Sequence, residues 1–477
     1  MEPIALLLCG LLLVLAVLRR TSTRRGRAPQ APAVLLQKIR DPAVVHRALV
    51  DNANEFSNRP PARLHVALVR KRQGQRNENL NSVAHGPHWR ALRCNLTAGT
   101  LHPSRLGCLA PLQREAIQDL IATLSSKSKG AVTELHAHLY GAVFSVVARL
   151  CFGDGVDDRD VRAMCRVIKD LQLSIGVVRP FSPSGSVLDK LVEWRRLRRL
   201  FAINARLTEM FLPFIKARPS PCDNGGRRPY VDSLVDLRIP SNEDEHTATA
   251  KSDDVDCGRR ALRDDEIVNL IKEFLGAGTG TVAVCLEWAL AHLVDRPEVQ
   301  RRLRREVDAE AAAVSRAGAG MPYLHAVVLE TLRMHPPLPV LPRHVQSDAA
   351  AGVLGLSASD LYVNFAVADI GRDGRTWTNP DEFQPERFLA GGEADGVGPL
   401  PGPKGIRMMP FGAGHRFCPG VGMAMVNIKC FLAALVREFD WAPPSAGGGV
   451  DLTELDGFFK VMKTPLSARA TPRNQGD

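Results

Sequence analysis

The alternation of apolar and polar positions divides this chain of 477 residues into a series of helices with little strand signal. From Val421 to Phe439 apolar residues recur at helical spacing, with Met425, Ile428, Leu432, Leu435 and Val436 in register. Tyr323 to Met334 has the same period and is stopped by His335-Pro336-Pro337, since paired prolines remove amide donors and disfavour helical geometry just before them. A third run, from about Asp264 to Leu293, opens on Asp264, Asp265 and Glu266, where the helix dipole favours acids, and continues with a long apolar face. Asp41-Pro42 opens a further helix, with Asp as N-cap and Pro at the first position. Pro219 to Arg260 is instead polar and rich in Asp, Gly, Ser and Thr, which predicts a disordered surface insertion.

The N-terminus has its own pattern. Ile4 to Leu18 is an almost uninterrupted apolar run, followed by Arg19, Arg20, Arg24, Arg25 and Arg27. It is shorter than the roughly 20 residues that span a bilayer, so a cleaved signal peptide is the competing reading. That reading lacks a basic segment before the run and a small-x-small cleavage site, and basic residues after the run stay cytoplasmic. The pattern predicts a signal-anchor and basic flank over residues 1–27, with the body, residues 28–477, facing the cytosol.

Composition refines this picture. A hydrophobic fraction of 45% supports one large core, and there is no internal repeat. Ten cysteines without disulfide or metal spacing read as reduced thiols. The formal charge of +11 favours an anionic membrane face and an acidic partner. It does not indicate nucleic acid: Arg195, Arg196, Arg198 and Arg199, like Arg301, Arg302, Arg304 and Arg305, are interleaved with leucine at helical spacing and read as solvated helix faces.

The chemistry is concentrated in Phe411-Gly412-Ala413-Gly414-His415-Arg416-Phe417-Cys418-Pro419-Gly420, which sets one cysteine in a glycine-bracketed loop before a helix. Unpaired amides and the dipole at a helix start favour an anionic sulfur. Gly412, Gly414 and Gly420 allow the close approach that a flat macrocycle requires. Arg416 offers a cation to an acidic group on it. Elsewhere, Glu330 and Arg333 lie one turn apart on one helix face, upstream of Pro385-Glu386-Arg387-Phe388.

The loop resembles the haem-binding loop of the cytochrome P-450 family. The resemblance covers about Asp41 to Pro465 plus the anchor, and Gly86-Pro87-His88-Trp89-Arg90 and Met321-Pro322-Tyr323-Leu324 are most similar to a plant microsomal A-type member. It implies a mainly α fold with a small β-sheet and haem b bound by Phe411, Gly412, Arg416, Cys418 and Gly420, with Cys418 as the iron ligand. Trp89, Arg93 and Arg343 match residues that face the haem propionates, and Glu330, Arg333 and Arg387 match a structural ion network that holds the cysteine loop. Ala277-Gly278-Thr279-Gly280-Thr281 resembles the oxygen-groove motif, in which Ala277 and Gly278 leave room for dioxygen and Thr281 relays protons. The implied function is a monooxygenase of the endoplasmic reticulum membrane, taking electrons from NADPH through a flavoprotein reductase and oxidising a small lipophilic substrate with O2. The segments 84–91, 274–284 and 338–341 and the region around Phe181 are expected to line its pocket.

Three departures from the family pattern qualify that function. Gly280 stands where the motif has an acid, so a proton-routing carboxylate is missing. Few residues separate Pro32 from Asp41, where the family has a helix and two strands, and Ala349 to Asp360 lacks a Pro-Lys-Gly turn; both predict a sheet with unpaired edges. A haem-thiolate isomerase or dehydratase, or a haem-binding or non-folding relic, are therefore the alternative readings.

Overall fold

The structure, a computed structural model, describes residues 37–60, 78–127, 131–176, 187–217, 228–240, 258–312, 320–357, 360–402, 405–445, 447–455, 457 and 459–473. Its helices are, in chain order, α1 (Pro42–His46), α2 (Pro87–Gly99), α3 (Ala110–Ser125), α4 (His136–Phe152), α5 (Asp158–Gly176), α6 (Val187–Lys216) and α7 (Tyr230–Asp236). They continue with α8 (Asp264–Asp295), α9 (Pro297–Ala312), α10 (Pro322–Met334), α11 (Asp348–Val353), α12 (Val367–Gly371) and α13 (Val421–Glu438). Strands β1 (Gln37–Ile39), β6 (Leu361–Phe365) and β5 (Leu341–Val345) form one sheet in that order. Strands β2 (Val132–Glu134), β10 (Ser467–Pro472) and β7 (Phe439–Ala442) form another, and β3 (Arg238–Pro240) with β4 (Arg259–Ala261) and β8 (Glu454–Leu455) with β9 (Val461–Met462) make two hairpins.

Helix α8 is the axis of the body. Its apolar residues occupy nearly every face, as burial among other helices requires, and from Ile267 to Val294 it packs against α4, α6, α10 and α13. It starts where Glu266 accepts from the Arg263 amide at 2.9 Å and binds both terminal nitrogens of Arg260. Among the described residues α8 is also the one helix long and apolar enough to cross a membrane, but 78% of its apolar window is buried inside the protein, which makes it a core helix. The predicted anchor, residues 1–27, lies outside the described residues. Helix α10 begins where the Glu306 carboxylate of α9 accepts from the amides of Tyr323 and Leu324, both at 2.8 Å, and ends before Pro336.

Three expectations change. Residues 219–260 are not wholly unstructured: Tyr230, Val231 and Leu234 bury one face of α7, and β3 pairs with β4. Tyr230 and Val231 are apolar anchors in an otherwise polar stretch, which composition averaged away. Residues before Asp41 do supply a strand, because β1 pairs in parallel with β6, Ile39 opposite Phe365, and Asp369 binds both Lys38 and Arg40. Ala349 to Asp360, which lacks the family's turn, carries α11, capped by the Ser347 hydroxyl, and β6 still returns antiparallel to β5.

A buried imidazole pair joins α8 to the end of α10. His335 Nδ1 lies 2.7 Å from Glu454 and so carries the proton, which makes its Nε2 the acceptor from His292 Nε2, 2.9 Å away. His292 Nδ1 is then a buried acceptor without a partner among the described residues. His335 stacks on Trp288 at 3.7 Å and His292 on Phe383 at 4.0 Å. Burial holds His335 down to about 4, and burial with its imidazole neighbour holds His292 well below its ordinary value. Both rings are neutral in the fold and charge in the unfolded chain below about pH 6.5. The stability they carry is therefore full above that pH and is lost as pH falls toward 4. In thermal melts from pH 7 to 4, His292→Phe should flatten the acid fall of the midpoint, whereas parallel curves would show that the pair takes up no proton on unfolding.

Candidate active site around Cys418

The cysteine loop is pinned from both sides: the Gly412 amide donates to Met409 O at 2.9 Å and the Cys418 amide to Phe411 O at 2.8 Å. Its glycines serve different ends. Gly412 has a φ of +75° at the turn, with Leu341 packed over it. Gly414 has a φ of +69°, and a Cβ there would stand 2.1 Å from the Leu49 carbonyl oxygen. The close approach that fixes Gly414 is thus to the turn after α1 rather than to a macrocycle, a correction to the sequence reading. At Gly420 a Cβ would make an ordinary 3.8 Å contact with Cys418 Sγ.

Cys418 lies before the N-terminus of α13, whose N-cap, Gly420, has no side-chain acceptor. Burial raises its thiol pKa, opposed by the Gly420 amide and then by Arg93 and Arg59. The Gly420 amide at the helix start favours the thiolate as expected, and burial works against it. Desolvation wins, and a thiol of this kind loses its proton when a metal ion supplies the missing charge. Cys430 lies inside α13, and burial raises its thiol as well.

Four guanidinium groups cluster here, of which Arg93 and Arg59 act on this sulfur and Arg416 and Arg343 on their neighbours. Arg93 donates to Phe417 O at 2.8 Å and lies 4.7 Å from the Phe417 ring. Arg416 rests 5.0 Å from the ring of buried Trp89 and commits three of its five donors to the carbonyls of Ser57, Leu80 and Val83. Arg343 is 1% exposed, and its guanidinium donates to the carbonyl of its own neighbour, Pro342. The Nε atoms of Arg343 and Arg59 are buried without partners among the described residues. Burial, then Arg59 and Arg416, pulls Arg343 well below its ordinary value, and Arg416 falls to about 10. Glu273 is the carboxylate acting on Arg59 and Arg416; burial pushes it up to about 7 while it accepts from the amides of Leu80 and Asn81. Two buried, unpartnered guanidinium nitrogens and a surplus of positive charge fit a ligand bearing two carboxylates, as haem does.

Arg59 and Glu273 were not singled out from sequence. Arg59 precedes Pro60-Pro61, where the chain direction is fixed, and Glu273 is an acid inside the apolar run of α8. Those were the available signals.

On α8, Ala277 is exposed and Gly278 and Thr281 are partly so. Thr281 Oγ1 donates to Ala277 O at 2.8 Å. A Cβ on Gly278 would meet Val147 at 3.1 Å and Met423, in the first turn of α13, at 3.4 Å, so this stretch of α8 lies against the helix that follows Cys418. Gly280 is buried on another side, facing Gln172 of α5. Of the expected pocket residues, Phe274 packs on Tyr230 at 4.7 Å, and Phe181 lies outside the described residues.

Glu330, Arg333 and Arg387 meet in the interior. Glu330 binds Arg333 through both carboxylate oxygens, at 2.7 and 2.8 Å, and Arg387 Nε at 3.3 Å. The network reaches the cysteine loop through Trp377, whose ring lies 5.1 Å from the Arg333 guanidinium and 4.5 Å from that of Arg407 and whose Nε1 donates to Arg407 O. Trp377, fully buried, carries no sequence pattern that would have marked it.

A helical body around one core helix, with a cysteine presented at a helix start beside a buried arginine cluster, defines the haem-thiolate class of proteins. The sequence profile of the family Cytochrome P450 matches residues 34–469, and the chain belongs to that family. It is 33% identical to Cytochrome P450 89A9 of Arabidopsis thaliana, over 92% of this chain and 84% of that protein. It is 30% identical to Cytochrome P450 78A11 of Oryza sativa subsp. japonica, over 95% and 81%. Among solved structures, a zebra fish cytochrome P450 with progesterone superposes with a TM-score of 0.70 at 22% identity, covering 91% of this chain and 93% of that one. Arg343→Met should stabilise the haem-free protein, by about 1–4 kcal/mol for removing a buried uncompensated cation, while weakening haem retention. Thermal melts with and without haem measure both, and a loss of stability in the haem-free form would show that Arg343 is already neutralised.

Proposed function

We propose that this protein is a membrane-anchored haem-thiolate monooxygenase that inserts one oxygen atom from O2 into a small lipophilic substrate, with electrons from NADPH through a flavoprotein reductase. The observation that carries the reading is Cys418: its sulfur is flanked by the Gly420 amide and by Arg93 and Arg59, next to buried cations suited to two carboxylates. Haem b bound there supplies the iron at which dioxygen is reduced. Cys418 gives the thiolate, and Arg93 fixes it through the Phe417 carbonyl. Arg59, Arg343 and Arg416, with Trp89 beneath Arg416, hold the propionates. Ala277 is exposed on α8, Gly278 admits Val147 and Met423 beside it, and the Thr281 hydroxyl, resting on the Ala277 carbonyl, holds a proton that it can pass on.

Two likenesses support a lipophilic substrate: a relative 29% identical is named 2-hydroxyisoflavanone synthase, of Glycyrrhiza uralensis, and the zebra fish structure contains progesterone. An open cavity of about 590 Å³ beside α2, lined by Arg90, Arg105, Arg228, Arg238 and Arg259, gives an acidic redox partner a cationic surface. The apolar run before Arg19 fits insertion at the endoplasmic reticulum. Gly280 favours an isomerase or dehydratase as the second reading, and dependence of turnover on NADPH and reductase separates the two.

Cys418→Ala should abolish the red-shifted Soret band of the reduced carbon monoxide complex, and Cys430→Ala should keep it; equal loss in both would mean general unfolding or a different ligand. Removal of residues 1–18 should release most of the protein from membranes with haem uptake intact, as fractionation with haem quantification would show, whereas an N-terminally processed lumenal protein contradicts the anchor.

A further inference from the structure

The space beside Gly280 belongs to Gln172. A Cβ added to Gly280 would lie 2.9 Å from Gln172 Nε2 and 3.2 Å from its Oε1. The carboxamide is oriented at both ends: Tyr140 of α4 donates its hydroxyl proton to Gln172 Oε1 at 2.6 Å, and Gln172 Nε2 donates to Gly276 O of α8 at 2.8 Å. Tyr140 is itself buried, stacked on Phe144, with Lys169 over its ring at 5.6 Å. Three glycines, at 276, 278 and 280, fall within this stretch of α8. Each weakens a helix relative to alanine, so the segment carrying Ala277 and Thr281 depends on support from its neighbours. Support comes from Val147 and Met423 at Gly278 and from Gln172 at Gly276 and Gly280.

We infer that Gln172, oriented by Tyr140, is the positioning residue of the oxygen groove in this protein, supplying from α5 the polar side chain that an acid at position 280 would otherwise place there. Position 280 and position 172 then form one unit: a larger residue at one demands a smaller residue at the other. An acid introduced at 280 alone meets an occupied, buried site, so it displaces Gln172 and loosens the Gly276 carbonyl instead of adding a proton route. The inference rests on the monooxygenase reading for its effect on oxygen use, but its packing part does not.

The test is a double-mutant cycle on the full-length haem-loaded protein: Gly280→Asp, Gln172→Ala and the two together, with Gln172→Met and Tyr140→Phe as variants that preserve volume. Thermal midpoint, haem content, the infrared stretch of bound carbon monoxide, and peroxide released per NADPH consumed are measured. Gly280→Asp alone should lower the midpoint and haem content, and Gln172→Ala should largely rescue it. Gln172→Met, at unchanged haem content, should shift the carbon monoxide stretch and raise peroxide release on the order of 10-fold, the scale of a small misplacement in a reacting site; Tyr140→Phe should do so more weakly. Equal tolerance of Gly280→Asp in both backgrounds would overturn the pairing, and an unmoved stretch and unchanged peroxide ratio in Gln172→Met would overturn the positioning role. If instead the parent forms no thiolate–carbon monoxide band, the monooxygenase reading fails while the stability cycle still decides whether 172 and 280 share one site.

Discussion

One fully buried carboxylate, Glu330, balances two buried guanidinium groups, and much of the reactive half of the molecule is arranged around that constraint. A guanidinium has five donors, so after meeting Glu330 both arginines must find further acceptors in a water-free interior. Arg333 takes the carbonyls of Gly371 and Pro380, Arg387 takes that of Asn379 at 2.7 Å, and Glu330 also accepts from the Gln384 amide. The chain is drawn in so tightly that a Cβ on Gly371 would stand 2.2 Å from the Arg333 carbonyl oxygen, and one on Gly392 2.4 Å from that of Arg387. Trp377, held between Arg333 and Arg407, transmits that placement to the segment leading into the cysteine loop. Such a network contributes little net stability over an apolar core, yet losing one member costs about 3–5 kcal/mol. It specifies position more than it adds strength.

The second set of buried arginines is the complement of the first. Around Glu330, with Glu393 as the second carboxylate on Arg387, the charges are matched and the donors used. Around Arg343, Arg59 and Arg416 they are not: the nearby carboxylate, Glu273, is held up to about 7 by burial and is spent on two loop amides. The same residue type therefore plays two parts, set by whether a carboxylate of the chain reaches it. One set builds the frame and the other is suited to recognise an acidic ligand.

The long helices were legible because their boundaries rest on local chemistry: Asp264, Asp265 and Glu266 at the start of α8, the Asp41 side chain accepting from the amides of Ala43 and Val44, and Pro336 after α10. The meeting of Glu330, Arg333 and Arg387 followed from motif order, which periodicity alone does not give. What stayed hidden depends on partners distant in sequence. Strand β1 exists because β6 accepts it, and α7 because three apolar residues find α4 and α8. Gly280 looked like a deficit until Gln172, on another helix, was seen to occupy the space. The helix start beside Cys418 was legible in the sequence, but the depth of burial that opposes it was not.

The contact between Gly414 and the Leu49 carbonyl makes the chemistry of the loop hostage to a turn near the other end of the polypeptide. The partner atom at 49 is backbone, but the Leu49 side chain is itself buried in the core, so both the turn and an apolar residue there must persist. Cutting into α1 would therefore free the cysteine loop with every haem-facing residue still present. An exon change or start-site shift that spared all recognisable motifs would silence the protein in the same way, which makes the integrity of residues 42–51 a better guide to whether a gene copy is functional than the cysteine motif alone.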